Sequence, residues 1–415
     1  MEDPYRVYAG VDWASATHRV WAADAAGALL GEREVLHGGE ALMAMADWLV
    51  GVAGGDAGAV AVAIEVPHGP IVDLLVDRGC HVFAINPKQL DRFRDRFSPA
   101  GAKDDRRDAR ALSSALRTDR AALREVRVSD PRVVELRELS RQDTEVQEDL
   151  RRLVNRLREQ LLRVWPELLR LSPAANDPWL WTLLDVAPTP SVGATLPLPR
   201  VRRILRQHRI RRLSAEDVAV VLRAPSVYVA PGVREGVAVR IHGLLEQLWV
   251  VARQRREAER RLEAALKTLR EDTPTEKGRE HADVMILQSL PGIGTRITAA
   301  MLADAAQPLQ DRDYHALRVL GGAAPVTRRS GKSRVVRMRY ACHSRVRVAL
   351  RGWAMGAIQR DAASRAHYDQ LRAKGHLHER ALRGVADRLL AVLVAMLRDG
   401  TVYDEHRRTR RLVLA

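Results

Sequence analysis

Cysteine is nearly absent from this chain of 415 residues, which contains only Cys80 and Cys342. So few cysteines exclude a disulfide framework and a zinc site built from several thiolates. No apolar run approaches the roughly 18 residues of a membrane-spanning helix. The start Met1-Glu2-Asp3-Pro4 has neither the basic nor the apolar segment of a secretion signal. The sequence therefore predicts a soluble cytoplasmic protein with no membrane partner.

Acidic residues are in the minority, since 68 Lys and Arg face 52 Asp and Glu and leave a formal charge of +16. From Tyr314 to Arg360 there is no Asp or Glu at all, although the stretch is rich in arginine. A solvated surface normally mixes both signs, so we interpret this stretch as a surface for nucleic-acid phosphates, whose binding weakens steeply with salt. A plain solvated basic surface is the alternative. The residues predicted to contact nucleic acid here are Arg328, Arg329, Lys332, Arg334, Arg337 and Arg339.

A second basic segment, residues 200–212, contains seven arginines and one histidine. It predicts a helix that contacts nucleic acid through Arg202, Arg203 and Arg206. The alternative is an amphipathic helix whose apolar residues face a core, and one helix can satisfy both descriptions because its charged side stays free.

The first part of the chain, from Val7 to about Leu123, alternates predicted strands and helices. Three short β-like runs predict a meander, and a helix, a buried strand, a second helix and a further strand follow. This order predicts an α/β domain and is also the order of ribonuclease-H-like folds. The predicted elements are strands Val7–Trp13, Arg19–Asp24, Leu29–Val35, Val60–Val66 and His81–Ile85, with helices around Glu40–Val50 and Leu74–Val76.

The middle of the chain has the heptad pattern of a coiled coil. Apolar residues recur every 3.5 positions from about Ser129 to Leu171, with Asp143 and Gln160 as polar exceptions. A second such segment, Ile241–Leu269, either returns antiparallel to the first or pairs with another chain. The last zone begins near Asp283 and is predicted to be mainly helical.

A glycine turn opens this last zone. Leu290-Pro291-Gly292-Ile293-Gly294 precedes a predicted helix over Thr295–Asp304. This is the pattern of a helix-hairpin-helix, in which the amides of Gly292 and Gly294 approach a phosphate. A plain turn is the alternative.

Four acidic residues are predicted to bind a divalent metal. Two of them lie in or at the end of apolar strands, where an unpaired carboxylate is costly and implies a cationic partner. The other two are three residues apart on a predicted helix and share a face, whereas Asp104 points elsewhere and is predicted to cap that helix. Ligands that are all oxygen favour Mg²⁺, with Mn²⁺ as a substitute. For any one acid, a cap or an arginine pair is the alternative. The four are Asp12, Glu65, Asp105 and Asp108.

A serine in the basic stretch is a further candidate. Ser330-Gly331-Lys332-Ser333 is not a P-loop, because Val326 stands where that motif needs its first glycine. A serine flanked by arginines can instead act as a nucleophile toward phosphate, with the cations stabilising the developing charge. Most serines in basic loops only form hydrogen bonds, which is the alternative for Ser330.

These motifs occur together in one known family. In chain order they are Tyr8-Ala9-Gly10-Val11-Asp12-Trp13-Ala14, Ala63-Ile64-Glu65-Val66-Pro67, Ile85-Asn86-Pro87, Ala102-Lys103-Asp104-Asp105-Arg106-Arg107-Asp108-Ala109, Leu290-Pro291-Gly292-Ile293-Gly294 and Gly321-Gly322 followed by Ser330-Gly331-Lys332. With them the chain resembles the DEDD transposases of bacterial insertion sequences. These are bridge-RNA-guided recombinases related to a site-specific DNA invertase.

The resemblance implies a RuvC-like, ribonuclease-H-like domain over residues 1–125, a coiled-coil domain with an arginine-rich insert over 126–278, and a mainly helical transposase domain over 279–415. It implies that Asp12, Glu65, Asp105 and Asp108 form a catalytic tetrad that binds Mg²⁺, and that Ser330 forms a phosphoserine link to DNA, with Ser333 as the fallback. It further implies composite sites in dimers that pair into a tetramer, and a structured RNA that base-pairs with target and donor DNA.

The expected function is therefore RNA-guided excision and insertion of a mobile element in the bacterial nucleoid. Two alternatives stay open. One is a metal-dependent nuclease that acts on DNA junctions without using Ser330, and the other is a nucleic-acid-binding scaffold without catalytic activity.

Overall fold

The structure is a computed structural model that describes residues 4–97, 104–127, 130–271, 282–331 and 333–405. The chain divides into two compact units, Met1–Ser129 and Asp130–Ala415. No helix in the described ranges combines the length and apolar character that crossing a membrane requires. The predicted coiled-coil zone and the predicted C-terminal zone both lie in the second unit, and the boundary between them near residue 278 stays a prediction.

The first unit is built on a mixed sheet of six strands in the order β3-β2-β1-β4-β5-β6. β1 pairs antiparallel with β2 and parallel with β4, and β5 is parallel to β4. The strands are β1 (Val7–Asp12), β2 (Thr17–Ala23), β3 (Leu29–Leu36), β4 (Val60–Ile64), β5 (His81–Ala84) and β6 (Arg124–Val126), and the helices are α1 (Gly39–Val52), α2 (Pro70–Asp77), α3 (Pro87–Asp95) and α4 (Asp105–Asp119).

Helices cover both faces of this sheet. Val7, Ala9 and Val11 of β1 pack into a core that α1 and α2 complete. Side chains alternate along a strand, so Tyr8 faces the other side and packs with Leu112 and Leu116 of α4. Burial on both faces explains why the central strands read as nearly continuous apolar runs.

The predicted meander and the order of strands and helices are confirmed. β4 ends at Ile64, two residues earlier than predicted, and Pro67 soon follows, which has no amide for a sheet ladder. β6 was not predicted, because three residues with two charges carry too weak a pattern. The mixed α/β architecture is consistent with a RuvC-like fold.

The second unit contains two long helices, which pack against each other within one chain. Leu136 near the start of the first contacts Leu262 and Leu266 near the end of the second, so the helices run antiparallel. Within one chain, the second segment thus returns antiparallel to the first, and pairing between chains stays a prediction. The helices of this unit are α5 (Pro131–Val164), α6 (Pro178–Val186), α7 (Pro190–Ala194), α8 (Leu198–Gln207), α9 (Ala215–Leu222), α10 (Val233–Glu271), α11 (Asp283–Ser289), α12 (Thr295–Asp304), α13 (Ala306–Gln310), α14 (Tyr314–Leu320), α15 (Ser344–Arg360), α16 (Ala362–Ala373) and α17 (His378–Asp399).

The polar exception Asp143 in the heptad pattern has a partner outside the helix pair. Asp143 is 2 % exposed, and its carboxylate accepts a hydrogen bond of 2.9 Å from the guanidinium of Arg296 in α12. Nearby, Arg345 of α15 bonds both Asp304 and Ser140, each at 2.9 Å. Buried charges are tolerated when they are paired, so this network fixes where α5 meets the C-terminal helices.

Candidate functional sites

Asp12 and Glu65 lie at the ends of two neighbouring strands: Asp12 is the last residue of β1, and Glu65 directly follows β4. β1 and β4 are parallel neighbours with Val11 opposite Ile64, so the next residue of each chain segment emerges at the same edge. Strand alternation places Asp12 on the face of Tyr8, which is the face that α4 covers. Both carboxylates are half-buried. The structure thus places the backbones of two of the four predicted ligands at neighbouring positions on one edge of the sheet.

Helix α4 brings the other two acids toward the same edge. Its backbone passes directly over Gly10, where an added Cβ would lie 2.0 Å from the carbonyl oxygen of Ala109. Ser113, one turn later, donates a hydrogen bond of 2.7 Å to the carbonyl of Tyr8. The helix therefore runs antiparallel to β1, and its first turn, with Asp105 and Asp108, points toward the Asp12 end of the strand.

Asp104 is the N-cap of α4. Its side chain accepts a hydrogen bond of 3.3 Å from the backbone amide of Arg106. Capping satisfies one of the free amides at the start of a helix. The predicted distinction between Asp104 as the cap and Asp105 and Asp108 as first-turn residues of the helix is confirmed.

Arg94 of α3 binds Asp108, a contact that the sequence did not reveal. Asp108 is 3 % exposed, and its two carboxylate oxygens lie 2.9 and 2.8 Å from one guanidinium nitrogen of Arg94. Arg94 also contacts Asp91. Burial works to lower the pKa of Arg94, but the charges and hydrogen bonds of Asp108 and Asp91 together raise it. The arginine stays protonated and neutralises a buried acid that is a predicted metal ligand.

The four acids suit a hard divalent cation in their chemistry, because all their donors are carboxylate oxygens. In the described ranges, however, no three His, Cys, Asp or Glu side chains are grouped so that they could hold a metal ion. Asp108 is instead bonded to Arg94. Asp12, Glu65, Asp105 and Asp108 would hold the ion once Arg94 releases Asp108, and their role as a tetrad stays a prediction.

Replacing Arg94 by glutamine is expected to tighten Mn²⁺ binding about fivefold, since roughly 1 kcal/mol of ion-pair energy no longer has to be given up. The measurement is a titration of the full chain with Mn²⁺, followed by the electron paramagnetic resonance of the free ion. Arg92→Gln is the control, because Arg92 is exposed on the same helix and has no ion pair with a described residue. Equal or weaker binding by a folded Arg94→Gln protein would show that Arg94 does not compete with the metal.

Ser330 lies at the end of an exposed hairpin formed by β7 (Val326–Ser330) and β8 (Ser333–Arg337). Ser330 is directly opposite Ser333, with only the turn between them. Because side chains alternate along a strand and opposite residues share a face, Arg328 and Arg337 lie on the face of both serines. Arg329 and Arg334 lie on the other face. Lys332 falls outside the described residues.

Several arginines of the acid-free stretch are bonded to other elements of the chain. Arg318, Arg345 and Arg351 form ion pairs with Asp387, Asp304 and Glu379, which come from other helices. Half-buried Arg339 donates to the carbonyl of Ala324 at 3.2 Å. The four hairpin arginines differ, for they are exposed and have no ion pair with any described residue. They are Arg328, Arg329, Arg334 and Arg337.

Gly292 and Gly294, the two glycines predicted to contact a phosphate, lie in different surroundings. Gly292 has φ +79° and packs on α15 so closely that an added Cβ would lie 2.2 Å from the amide nitrogen of Ala357. Its lack of a side chain therefore serves helix packing. Gly294 is exposed and is the N-cap of α12. The helix-hairpin-helix motif and a contact of either glycine with phosphate stay predictions.

Helix α8 contains the arginines that were predicted in the second basic segment. Val201, Ile204 and Leu205 are buried, as predicted for an amphipathic helix whose apolar residues face a core. Arg203 and Arg206 are exposed, and Arg202 is exposed but paired with Glu216 at 2.9 Å.

Comparison with known proteins gives two family matches. Residues 9–166 match a model of the DEDD transposase domain of IS110 elements. Residues 284–369 match a model described as the transposase IS116/IS110/IS902 family. The first match contains all four predicted acids, and the second contains Ser330. A DEDD transposase domain implies dependence on a divalent metal.

Individual relatives agree with these models. The mini-circle putative transposase for IS117 of Streptomyces coelicolor is 30% identical over 417 residues, which cover 98% of this chain and 97% of that protein. The putative transposase y4uE of Sinorhizobium fredii is 48% identical over 237 residues, or 57% of this chain and 64% of its own length. An uncharacterized 43.6 kDa protein of insertion element IS110 from Streptomyces coelicolor is 29% identical over 79% of this chain and 78% of its own. The chain therefore belongs to the IS110 family of DEDD transposases, enzymes that recombine DNA in the transposition of insertion sequences.

Proposed function

We propose that this transposase is an RNA-guided DNA recombinase, in which Ser330 forms a covalent phosphoserine link to a DNA strand during Mg²⁺-dependent excision and insertion. The observation that supports this most is the position of Ser330. Its side chain is exposed at the end of a hairpin, on the same face as Arg328 and Arg337, and neither arginine is paired with a described acid. A hydroxyl that shares its face of the hairpin with two free cations suits attack on a phosphodiester.

The proposed step conserves the phosphodiester. The Oγ atom of Ser330 forms a bond to phosphorus, the bond from phosphorus to one deoxyribose oxygen breaks, and the proton lost by the serine is balanced by the proton that the freed hydroxyl takes up. The guanidinium groups of Arg328 and Arg337 stabilise the charge that develops on the phosphate oxygens. The hydroxyl of a second strand then reverses the step, so strands are exchanged without hydrolysis or an outside energy source.

A divalent cation, when bound, supplies Lewis-acid stabilisation of phosphate and leaving oxygens. The residues proposed to hold it are Asp12, Glu65, Asp105 and Asp108. Ser330 belongs to the other compact unit of the chain. We propose that each composite site combines the tetrad of one subunit with the serine of another, in dimers that pair into a tetramer.

The guide in this proposal is a structured RNA that pairs with target and donor DNA. Base pairing then supplies sequence recognition, and the protein contacts backbone and shape. The composition suits this division, because only 4% of residues are Phe, Trp or Tyr and stacking on bases needs aromatic side chains. We place the complex at the bacterial nucleoid.

The experiment is to incubate the protein and its guide RNA with labelled DNA and Mg²⁺, denature the mixture, and identify any protein residue bound to DNA by peptide mass spectrometry. A phosphodiester link at Ser330 is the expected result. Cleaved DNA with no protein attached would indicate a junction nuclease instead, and unchanged DNA would indicate a scaffold. A link at Ser333 would keep the reaction class and move the nucleophile.

A further inference from the structure

The segment between the two long helices forms a small helical module on one end of the pair. Val201, Ile204 and Leu205 of α8 share a core with Leu157 and Leu161 near the end of α5, and residues near the start of α10 complete it. The apolar side of α8 is thus fully used in packing. What remains exposed of this helix is its charged side.

The exposed side has a charge of one sign. The sequence from residue 186 to residue 215 contains no Asp or Glu. Two arginines of the segment are paired with acids from outside it, Arg202 with Glu216 at 2.9 Å and Arg212 with Asp177 at 3.1 Å. The others are exposed and form no ion pair with a described residue: Arg200, Arg203, Arg206, Arg209 and Arg211. Spacings of three along α8 keep the first three on one side of the helix.

A further exposed arginine, Arg209, follows directly after the end of α8. Arg209 has φ +54°, the left-handed conformation in which glycine is the usual residue after a helix. The amide of Ile210 closes the end by donating to the carbonyl of Leu205 at 2.9 Å. An arginine at this position costs conformational energy that glycine would not. Arg209 adds a fourth exposed cation that forms no ion pair with a described residue, just beyond the last turn of α8.

We propose that the five arginines without an ion pair, Arg200, Arg203, Arg206, Arg209 and Arg211, form a row that binds the backbone of double-stranded DNA beside the site of strand exchange. Arg202, which the sequence alone predicted as a contact, is not part of this row, because Glu216 neutralises it. No Phe, Trp or Tyr occurs between residues 182 and 227, so the row offers charge without a platform for stacked bases, which suits a duplex better than a single strand. The proposal rests on DNA as the substrate of this family and does not depend on the serine chemistry.

The length of α5 sets the reach of this contact. Ser140 is bonded to Arg345 of α15, the helix that follows the Ser330 hairpin, and Val164 lies at the base of the module. Between these two residues α5 rises about 36 Å at roughly 1.5 Å per residue. B-DNA covers that distance in about 11 base pairs at roughly 3.4 Å each. The row therefore contacts flanking DNA about one helical turn from the Ser330 domain.

The test compares two neighbours on α8 that differ in pairing. Arg203→Gln removes a free cation, and Arg202→Gln removes one that Glu216 already neutralises. Binding of the full chain to a fluorescent 40-base-pair DNA duplex of random sequence is measured by anisotropy over a range of salt concentrations. Arg203→Gln is expected to weaken binding about three- to tenfold and Arg202→Gln less than twofold. Combining Arg200→Gln, Arg203→Gln and Arg206→Gln is expected to reduce the slope of log affinity against log salt by about 2 to 3.

Equal affinities of Arg203→Gln and wild type for the duplex would overturn the proposal, provided circular dichroism shows both proteins folded. A loss confined to a structured RNA hairpin with the same number of phosphates would assign the row to RNA and also overturn it. If the proposed serine chemistry is wrong, the result is distinguishable. No protein residue is then linked to DNA, while Arg203→Gln still weakens binding to the duplex more than Arg202→Gln does.

Discussion

Replacement of Gly10 by alanine is expected to destabilise the first unit by at least about 3 kcal/mol, near the upper end of single-residue effects. An added Cβ would lie 2.0 Å from the carbonyl oxygen of Ala109 and 2.6 Å from the amide nitrogen of Ser113. Both atoms are backbone, so no side chain can rotate away. Either α4 moves off the sheet, with Asp105 and Asp108 on its first turn, or the unit unfolds. Urea unfolding of the full chain, followed by circular dichroism, measures the loss.

Gly38→Ala is the matched control for this prediction. Gly38 has φ −159°, which any residue adopts, and no atom lies within 4 Å of a Cβ added there. Its replacement is expected to change the free energy of unfolding by less than about 1 kcal/mol. A Gly10→Ala protein as stable as Gly38→Ala would show that α4 does not pack on β1 as closely as described, and the placement of the two helical acids would lose its support.

Much of the first unit follows from the sequence because its strands have patterns that depend on neighbours close in the chain. The buried runs of β1 and β4 predict central strands, and parallel pairing then brings Asp12 and Glu65 to one edge. Gly10 also gave a signal that could have been used, since glycine inside a strand often marks close approach of another backbone. The contact of Arg94 with Asp108 gave none, because it joins two helices through side chains whose spacing follows no period.

In the second unit, the contacts that the sequence did not predict join residues that are distant from each other in sequence. Asp143 interrupts the heptads, and its partner Arg296 is 153 residues away on another helix. Several arginines of the acid-free stretch are likewise paired with acids from outside it. Counting charges along the sequence could not distinguish these ion-paired arginines from the hairpin arginines, which have no ion pair with a described residue.

The hairpin itself was predicted as a basic surface and not as two strands. Every residue of β8 is exposed, as are most of β7, so neither strand has the apolar alternation that identifies a half-buried strand. The sequence pattern therefore gave no sign of these two strands.

Replacement of Ser330 by alanine is expected to abolish the covalent protein–DNA product, with a loss of at least about a thousandfold in strand exchange. Removing the nucleophile of a covalent mechanism leaves only binding and charge stabilisation. The hairpin should keep its shape, because Ser330 is exposed and its side chain forms no hydrogen bond with a described residue. The measurement is the amount of DNA that migrates with protein in a denaturing gel after incubation with guide RNA and Mg²⁺.

Ser333→Ala is the matched control, since Ser333 lies directly opposite Ser330 on the same face and is also exposed. It is expected to retain the covalent product within about threefold of wild type, because a surface hydroxyl outside the reaction contributes little. The reverse result would make Ser333 the nucleophile and shift the active residue across the turn. If Ser330→Ala still cleaves DNA at the full rate with water as the acceptor, the enzyme is a nuclease. In that case Arg328 and Arg337 would serve to bind the substrate beside a serine that takes no part in the reaction.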